Sequence, residues 1–332
     1  MSYEEFLEEI MLELKLRTSK SNEYSFELTK VMKTNQGEID AIRIQYKDES
    51  QIMPMCYPSE MFVDYLEWGG EVDDVVDEIM NVAERGKQEA LELKNVLDEL
   101  TPEYASERLI LHLYNREWNE ELLKNAITMD VDGCDDLIAV ARWIVPEANG
   151  TQASILVTKE LQQRLAMTTE ELLSMAYKNT INQKFTLESM GEVLGEMLEE
   201  ELVEAIDENK MYVLSNEKKF FGANVLLNKE QLQKISSRIG RDYYLLPSSI
   251  HELIILPLKS VDDPNPSELQ KMVLEVNESC VDVKERLGEN VYHCVGNKLF
   301  ICNSVEEAII QRESVLENQQ LEKQEKKHSR SL

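Results

Sequence analysis

The β-rich stretches of this 332-residue chain come in pairs joined by short turns. Tyr24 to Lys33 and Glu38 to Lys47 flank Asn35-Gln36-Gly37. Leu137 to Val145 and Thr151 to Val157 flank Pro146 to Gly150, and Val291 to Cys294 and Leu299 to Cys302 flank Gly296-Asn297. Parallel neighbours need a crossover of about a dozen residues or more, whereas a tight turn returns the chain antiparallel. Mostly antiparallel sheets with packed helices are therefore expected, an α+β class with two subdomains.

The stretches between these pairs carry helical spacing. Over residues 3–16, Phe6, Leu7, Ile10 and Leu14 share one face and Glu4, Glu5, Glu8, Glu9 and Glu13 the other. Ile52 to Tyr57 reads as a third, edge strand because of Pro54. Pro58 opens a helix ended by Gly69-Gly70, and residues 71–99 form another with Val72, Val75, Val76 and Ile79 on one side. Pro102 starts a helix that is expected to carry Leu109, Leu111, Leu113 and Trp118. Further helices are expected near 158–166, 169–178, 188–208 and 229–238, and from Pro266 to about Ser279. Met211 to Leu214 and Phe220 to Leu227 read as a hairpin, and Tyr243 to Leu246 and Leu253 to Leu256 as strands. The expected divisions are a first subdomain over 1–126, a second over 127–302, and a polar tail over 303–332 that frays from a short helix.

Charge narrows the function classes. With 35 basic against 64 acidic residues, the net charge is −29. Direct binding of nucleic acid or anionic lipid requires clustered Lys and Arg, so neither is expected. The acidic start differs from a signal peptide, and no run approaches the ~18 apolar residues of a membrane span. With five cysteines and no CxxC pair, a reducing cytoplasm is the expected location.

No cofactor motif is present: neither a P-loop nor G-x-G-x-x-G occurs. Asp130, Asp132, Asp135 and Asp136 resemble a calcium loop, but an EF-hand needs Gly sixth and Glu twelfth, where Asp135 and Ala141 stand. His293, Cys294, Cys302 and Cys280 lack paired zinc-site spacing. No metal or cofactor is expected. Ser248, Ser249, His251 and Glu252 gather a nucleophile, a base and a carboxylate, as a hydrolase requires. Against that, no G-x-S-x-G elbow is present, Ile255 stands where a second zinc-binding His would be, and Pro247-Ser248-Ser249 reads as a turn or helix start.

Glu188, Glu192, Glu196, Glu200 and Glu204 recur every four residues, and no Lys or Arg falls between 188 and 209. Like charges at this spacing cost a helix a few tenths of a kcal/mol per pair. Such a row fits a surface presented to a basic partner, as in a nucleic-acid mimic, or an ordinary solvated face above the buried Met190, Val193, Leu194 and Met197.

In order along the chain, NGTQASILV (149–157), TEELLSMAYKNT (169–180), MYVLSN (211–216), FGANVL (221–226), YYLLPSSIHELIILP (243–257) and MVLEVN (272–277) precede Val291-Tyr292-His293. Together they resemble the bacterial family known as domain of unknown function 5688, most strongly over residues 130–302. The resemblance implies one conserved module from low-GC Gram-positive bacteria, often encoded near mobile elements and phage, and supplies no catalytic residues. The expected function is a non-catalytic protein-binding module whose partner has a basic surface, with Glu188, Glu192, Glu196, Glu200 and Glu204 as the contact row. A hydrolase at Ser248, Ser249, His251 and Glu252 is the alternative.

Overall fold

The computed structural model describes residues 1–19, 23–47, 53–98, 101–148, 151–195, 211–240, 242–258 and 263–329. The chain forms two compact units, Met1–Tyr104 and Ala105–Leu332. The strand pairs among the described residues are all antiparallel, and helices pack on the sheets, as an α+β fold requires.

In the first unit, helix α1 (Tyr3–Thr18) opens with a capping box, in which Ser2 and Glu5 satisfy each other's backbone N–H. Its Phe6, Ile10 and Leu14 are fully buried, each burial contributing about 1.5–3 kcal/mol. They pack under β1 (Tyr24–Lys33), β2 (Gly37–Tyr46) and the short β3 (Met55–Cys56), in sheet order β1-β2-β3. Helix α2 (Pro58–Trp68) ends on Gly69 in the left-handed conformation, and Val75, Val76, Ile79 and Ala83 of α3 (Val72–Asp98) close the core. Arg17 ties α1 to α3 by bonding Asp73 at 2.9 Å and also Asp77.

The helix expected from Pro102 through Trp118 is short, and a strand follows it. Helix α4 (Pro102–Ser106) stops after five residues, and Leu109–Asn115 is strand β4. All seven β4 residues are buried. A run apolar on both faces cannot be told from a buried helix by periodicity alone. Strand β4 pairs over its whole length with β6 (Leu137–Ala148). That pairing draws residues 105–126 into the second unit, so the division falls after Tyr104 rather than after residue 126.

Strand β5 (Thr128–Asp130) pairs with β6 on its other side, and β7 (Thr151–Leu156) pairs with the later part of β6. The outer edge of β4 is blocked at its middle by side chains. Leu111 N–H donates to Thr180 Oγ1 at 2.8 Å, and Asn224 Nδ2 donates to Leu111 O at 2.7 Å. Thr180 lies on α7 (Thr169–Ile181), which follows α5 (Glu120–Leu123) and α6 (Lys159–Arg164).

The second sheet of this unit has six strands in the order β13-β12-β10-β11-β9-β8 among the described residues. They are β8 (Phe185–Ser189), β9 (Tyr212–Asn216), β10 (Tyr243–Pro247), β11 (Leu253–Pro257), β12 (Tyr292–Val295) and β13 (Lys298–Ile301). Strand β8 takes the first two residues of the stretch expected to be helical over 188–208. Helix α8 (Met190–Leu194) follows it, and residues 196–210 lie outside the described residues.

Phe220–Leu227 is not a strand; Gly222–Leu227 forms a 3₁₀ turn and β9 pairs with β8 and β11 instead. Helix α9 (Lys229–Ile239) and α10 (Pro266–Cys280) follow the expected spacing. The polar tail is helical over Val305–Ser329 (α11), anchored by buried Ala308 and Val315 and by Gln311, which bonds Ile301 O at 2.9 Å and His293 Nδ1 at 2.9 Å. Among the described residues, no helix is long and apolar enough to cross a membrane.

Candidate functional site

The Ser248–Glu252 segment is the loop of the β10–β11 hairpin, whose last pair is Pro247 with Leu253. Ser248 Oγ donates to Glu252 Oε1 at 3.1 Å, and Ser249 N–H donates to Glu252 O at 3.2 Å. Ser249 Oγ accepts from His251 N–H at 3.0 Å. Both serines thus close the loop, and among the described residues neither hydroxyl bonds the imidazole.

The ring of His251 faces another chain segment. Its Nδ1 accepts from Phe221 N–H at 3.2 Å, and Nε2 stands 3.9 Å from Glu285 Oε1. A nitrogen that accepts from an amide leaves the ring proton on Nε2 in the neutral tautomer. His251 therefore braces a tight turn. Phe221 has φ +56°, costing about 1–2 kcal/mol for a non-glycine residue. At Gly222, a Cβ would lie 2.3 Å from His251 O and 2.4 Å from Ser215 Oγ, so only glycine fits.

His112 of β4 completes this cluster, its ring 3.8 Å from Phe221 and 4.7 Å from Tyr114. Burial, then Arg142 and His251, hold its imidazole well below the ordinary value of 6.5. Its Nδ1 is buried and lacks a hydrogen-bond partner among the described residues.

The Asp130–Asp136 carboxylates disperse. Asp130 bonds Arg116 at 2.7 Å and Asp132 bonds Lys229 at 2.6 Å, an ion pair that holds Asp132 below its ordinary range. Burial pushes the Cys294 thiol up to about 12 and the Cys302 thiol to about 11, far from metal-ready thiolates. No group of three or more His, Cys, Asp or Glu suited to a metal occurs among the described residues.

In the acidic row, Glu188 lies on β8 opposite Val213, and Glu192 caps α8 by accepting from Ser189 N–H at 2.8 Å. The two are separated by a strand-to-helix change, so they are not neighbours on one helix face. Glu196, Glu200 and Glu204 lie outside the described residues.

The second unit also carries a concavity that no local motif marks. It is a cleft of about 800 Å³ between the ends of β4 and β6, helix α5, and residues Gln270, Glu289 and Asn290. Its floor is a hydrogen-bonded relay. Gln270 Nε2 donates to Asn290 Oδ1 at 3.2 Å; Asn290 Nδ2 and Tyr292 OH then donate to Asp136 Oδ2 at 2.9 and 2.7 Å. Burial, followed by Asp136, drives the Tyr292 phenol well above its ordinary range, so it stays a donor. Asp136 Oδ1 is buried and has no hydrogen-bond partner among the described residues.

The two cations lining the cleft are already engaged. Arg116 bonds Asp130 and, through Nε, Asp135 O at 3.1 Å; Lys124 bonds Glu121. The carboxylates of Glu117, Glu120, Asp135 and Glu289 also line the cleft; Glu120 joins Glu121 in the field on Lys124, and the other three make no side-chain hydrogen bond or ion pair among the described residues. Trp118, Leu123 and Ile138 add apolar surface. Such a site suits a cation carried on an aliphatic stem.

No curated protein and no solved structure matches the chain. The model of a family of unknown function, DUF5688, matches residues 3–294, and the chain belongs to that family.

Proposed function

We propose that this protein is a non-catalytic, cytoplasmic binding module for a basic protein partner, and that the cleft of the second unit receives the partner's Lys or Arg side chains. The observation that carries this reading is the excess of carboxylates, Glu117, Glu120, Asp135 and Glu289, around a cleft whose own two cations already bond Asp130 and Glu121. The net charge of −29 adds a long-range attraction for such a partner. In the sharper form of the reading the partner is a nucleic-acid-handling protein of a defence system or mobile element. Glu188, Glu192, Glu196, Glu200 and Glu204 then add a second contact row.

The test is fluorescence anisotropy with a labelled Lys-rich peptide. Binding should weaken as salt rises. The Glu117→Gln/Glu120→Gln/Glu289→Gln variant should bind about tenfold more weakly, three exposed ion pairs being worth roughly 0.2–1 kcal/mol each. Equal affinity of the variant and the parent chain overturns the assignment of the cleft.

A further inference from the structure

Strand β1 is a ten-residue edge, and among the described residues nothing pairs with its outer side. The fold treats another edge differently: midway along β4, the outward N–H and C=O of Leu111 are satisfied by Thr180 and Asn224. An open edge of this length is a template for another strand.

Backbone parity shows which residues face outward. Lys47 N–H donates to Glu23 O at 3.1 Å, so the odd-numbered residues of β1 bond β2 and the even-numbered ones present their N–H and C=O outward. Side chains alternate with the same period, so Tyr24, Phe26, Leu28, Lys30 and Met32 share one face of the sheet. Tyr24 is buried there, whereas Leu28 and Met32 are 42% and 39% exposed. Charge is polarised along the strand, with Glu23 and Glu27 towards its start and Lys30 and Lys33 towards its end. Strand β2 answers that polarity from the inner side, where Arg43 lies 3.4 Å from Glu27 and Glu38 lies 3.8 Å from Lys30.

We propose that the outer edge of β1 pairs antiparallel with β1 of a second copy of this chain. A two-fold axis at Leu28 is the register these observations select. Leu28 faces Leu28, Phe26 faces Lys30 and Tyr24 faces Met32, every such pair joining outward-facing backbone groups. Glu23 then lies opposite Lys33, so the acidic end of each strand meets the basic end of the other. A parallel arrangement would set acid against acid. The exposed Leu28 and Met32 become covered on the face that already carries Tyr24. At 0.15 M ionic strength charges more than about 8 Å apart are largely screened, while cross-strand neighbours roughly 5 Å apart still interact. The high net charge therefore slows encounter without cancelling the local match.

The test uses the full chain in sedimentation velocity over a concentration series at 0.15 M salt. A concentration-dependent dimer is expected. Leu28→Pro removes only an outward N–H, leaves the β2 pairing intact, and should weaken association about tenfold with an unchanged circular dichroism spectrum. Register is read by cross-linking in a Cys280→Ser background, since Cys280 is an exposed free thiol. Leu28→Cys should give a disulfide-linked dimer on mild oxidation, because opposed Cα atoms about 5.5 Å apart can be bridged, and Met32→Cys should not. A chain that stays monomeric over the series overturns the proposal. So does a dimer that Leu28→Pro does not weaken, or that cross-links equally through Met32→Cys.

Discussion

His112 makes the stability of the second unit depend on pH in a defined direction. It is buried between Phe221 and Tyr114 with Arg142 nearby, and its folded pKa is well below 6.5. In the unfolded chain it titrates near 6.5. Below that pH the unfolded state takes up a proton that the folded state refuses, and the folded state loses about 1.4 kcal/mol for each further pH unit. Above 6.5 the contribution is constant. From pH 7.5 to pH 5 the loss from this one residue is up to about 2 kcal/mol.

The assay is urea unfolding followed by the fluorescence of Trp143, which is fully buried opposite Leu109. It is run on the parent chain and on His112→Phe, which keeps a ring against Phe221 and removes the titration. His293 also titrates low because of burial, but it is common to both chains. The variant should lose less than the parent between pH 7.5 and 5, by up to about 2 kcal/mol. Equal losses would refute the claim that a neutral imidazole is enforced at this site.

Two other substitutions probe the elements that shape this unit. Gly222→Ala places a methyl group 2.3 Å from His251 O and should cost about 2–4 kcal/mol, read as a lowered melting temperature. Thr180→Val leaves Leu111 N–H buried without its acceptor and should cost about 1–3 kcal/mol by the same measurement, with faster amide exchange confined to β4.

Local signals carried much of the fold. Phe6, Ile10 and Leu14 marked α1, and Asn35-Gln36-Gly37 marked the β1–β2 hairpin. Where residues are buried on both sides, the pattern lost its meaning. In β4, Ile110, His112 and Tyr114 face one way and Leu109, Leu111 and Leu113 the other, so neither period was visible. The turn at Phe221 follows from a tertiary contact, since His251, some 29 positions further on, presses on Gly222 and bonds Phe221 N–H. The cleft was illegible for the same reason: Asp136 and Asn290 meet across 154 positions, with no local motif at either end. The Ser248–Glu252 cluster was legible as a turn, and its hydrogen bonds are those of a loop.

Basic groups bound in the cleft are distinguishable from basic groups bound anywhere on an acidic surface. The indole of Trp118 lines that cleft, while Trp143 is buried in β6. Nuclear magnetic resonance of ¹⁵N-labelled protein titrated with a Lys-rich peptide separates the two possibilities. With the cleft as the binding site, the Trp118 indole N–H resonance moves in step with peptide binding and the Trp143 resonance stays in place. Saturable binding with the Trp118 resonance unmoved would contradict that assignment.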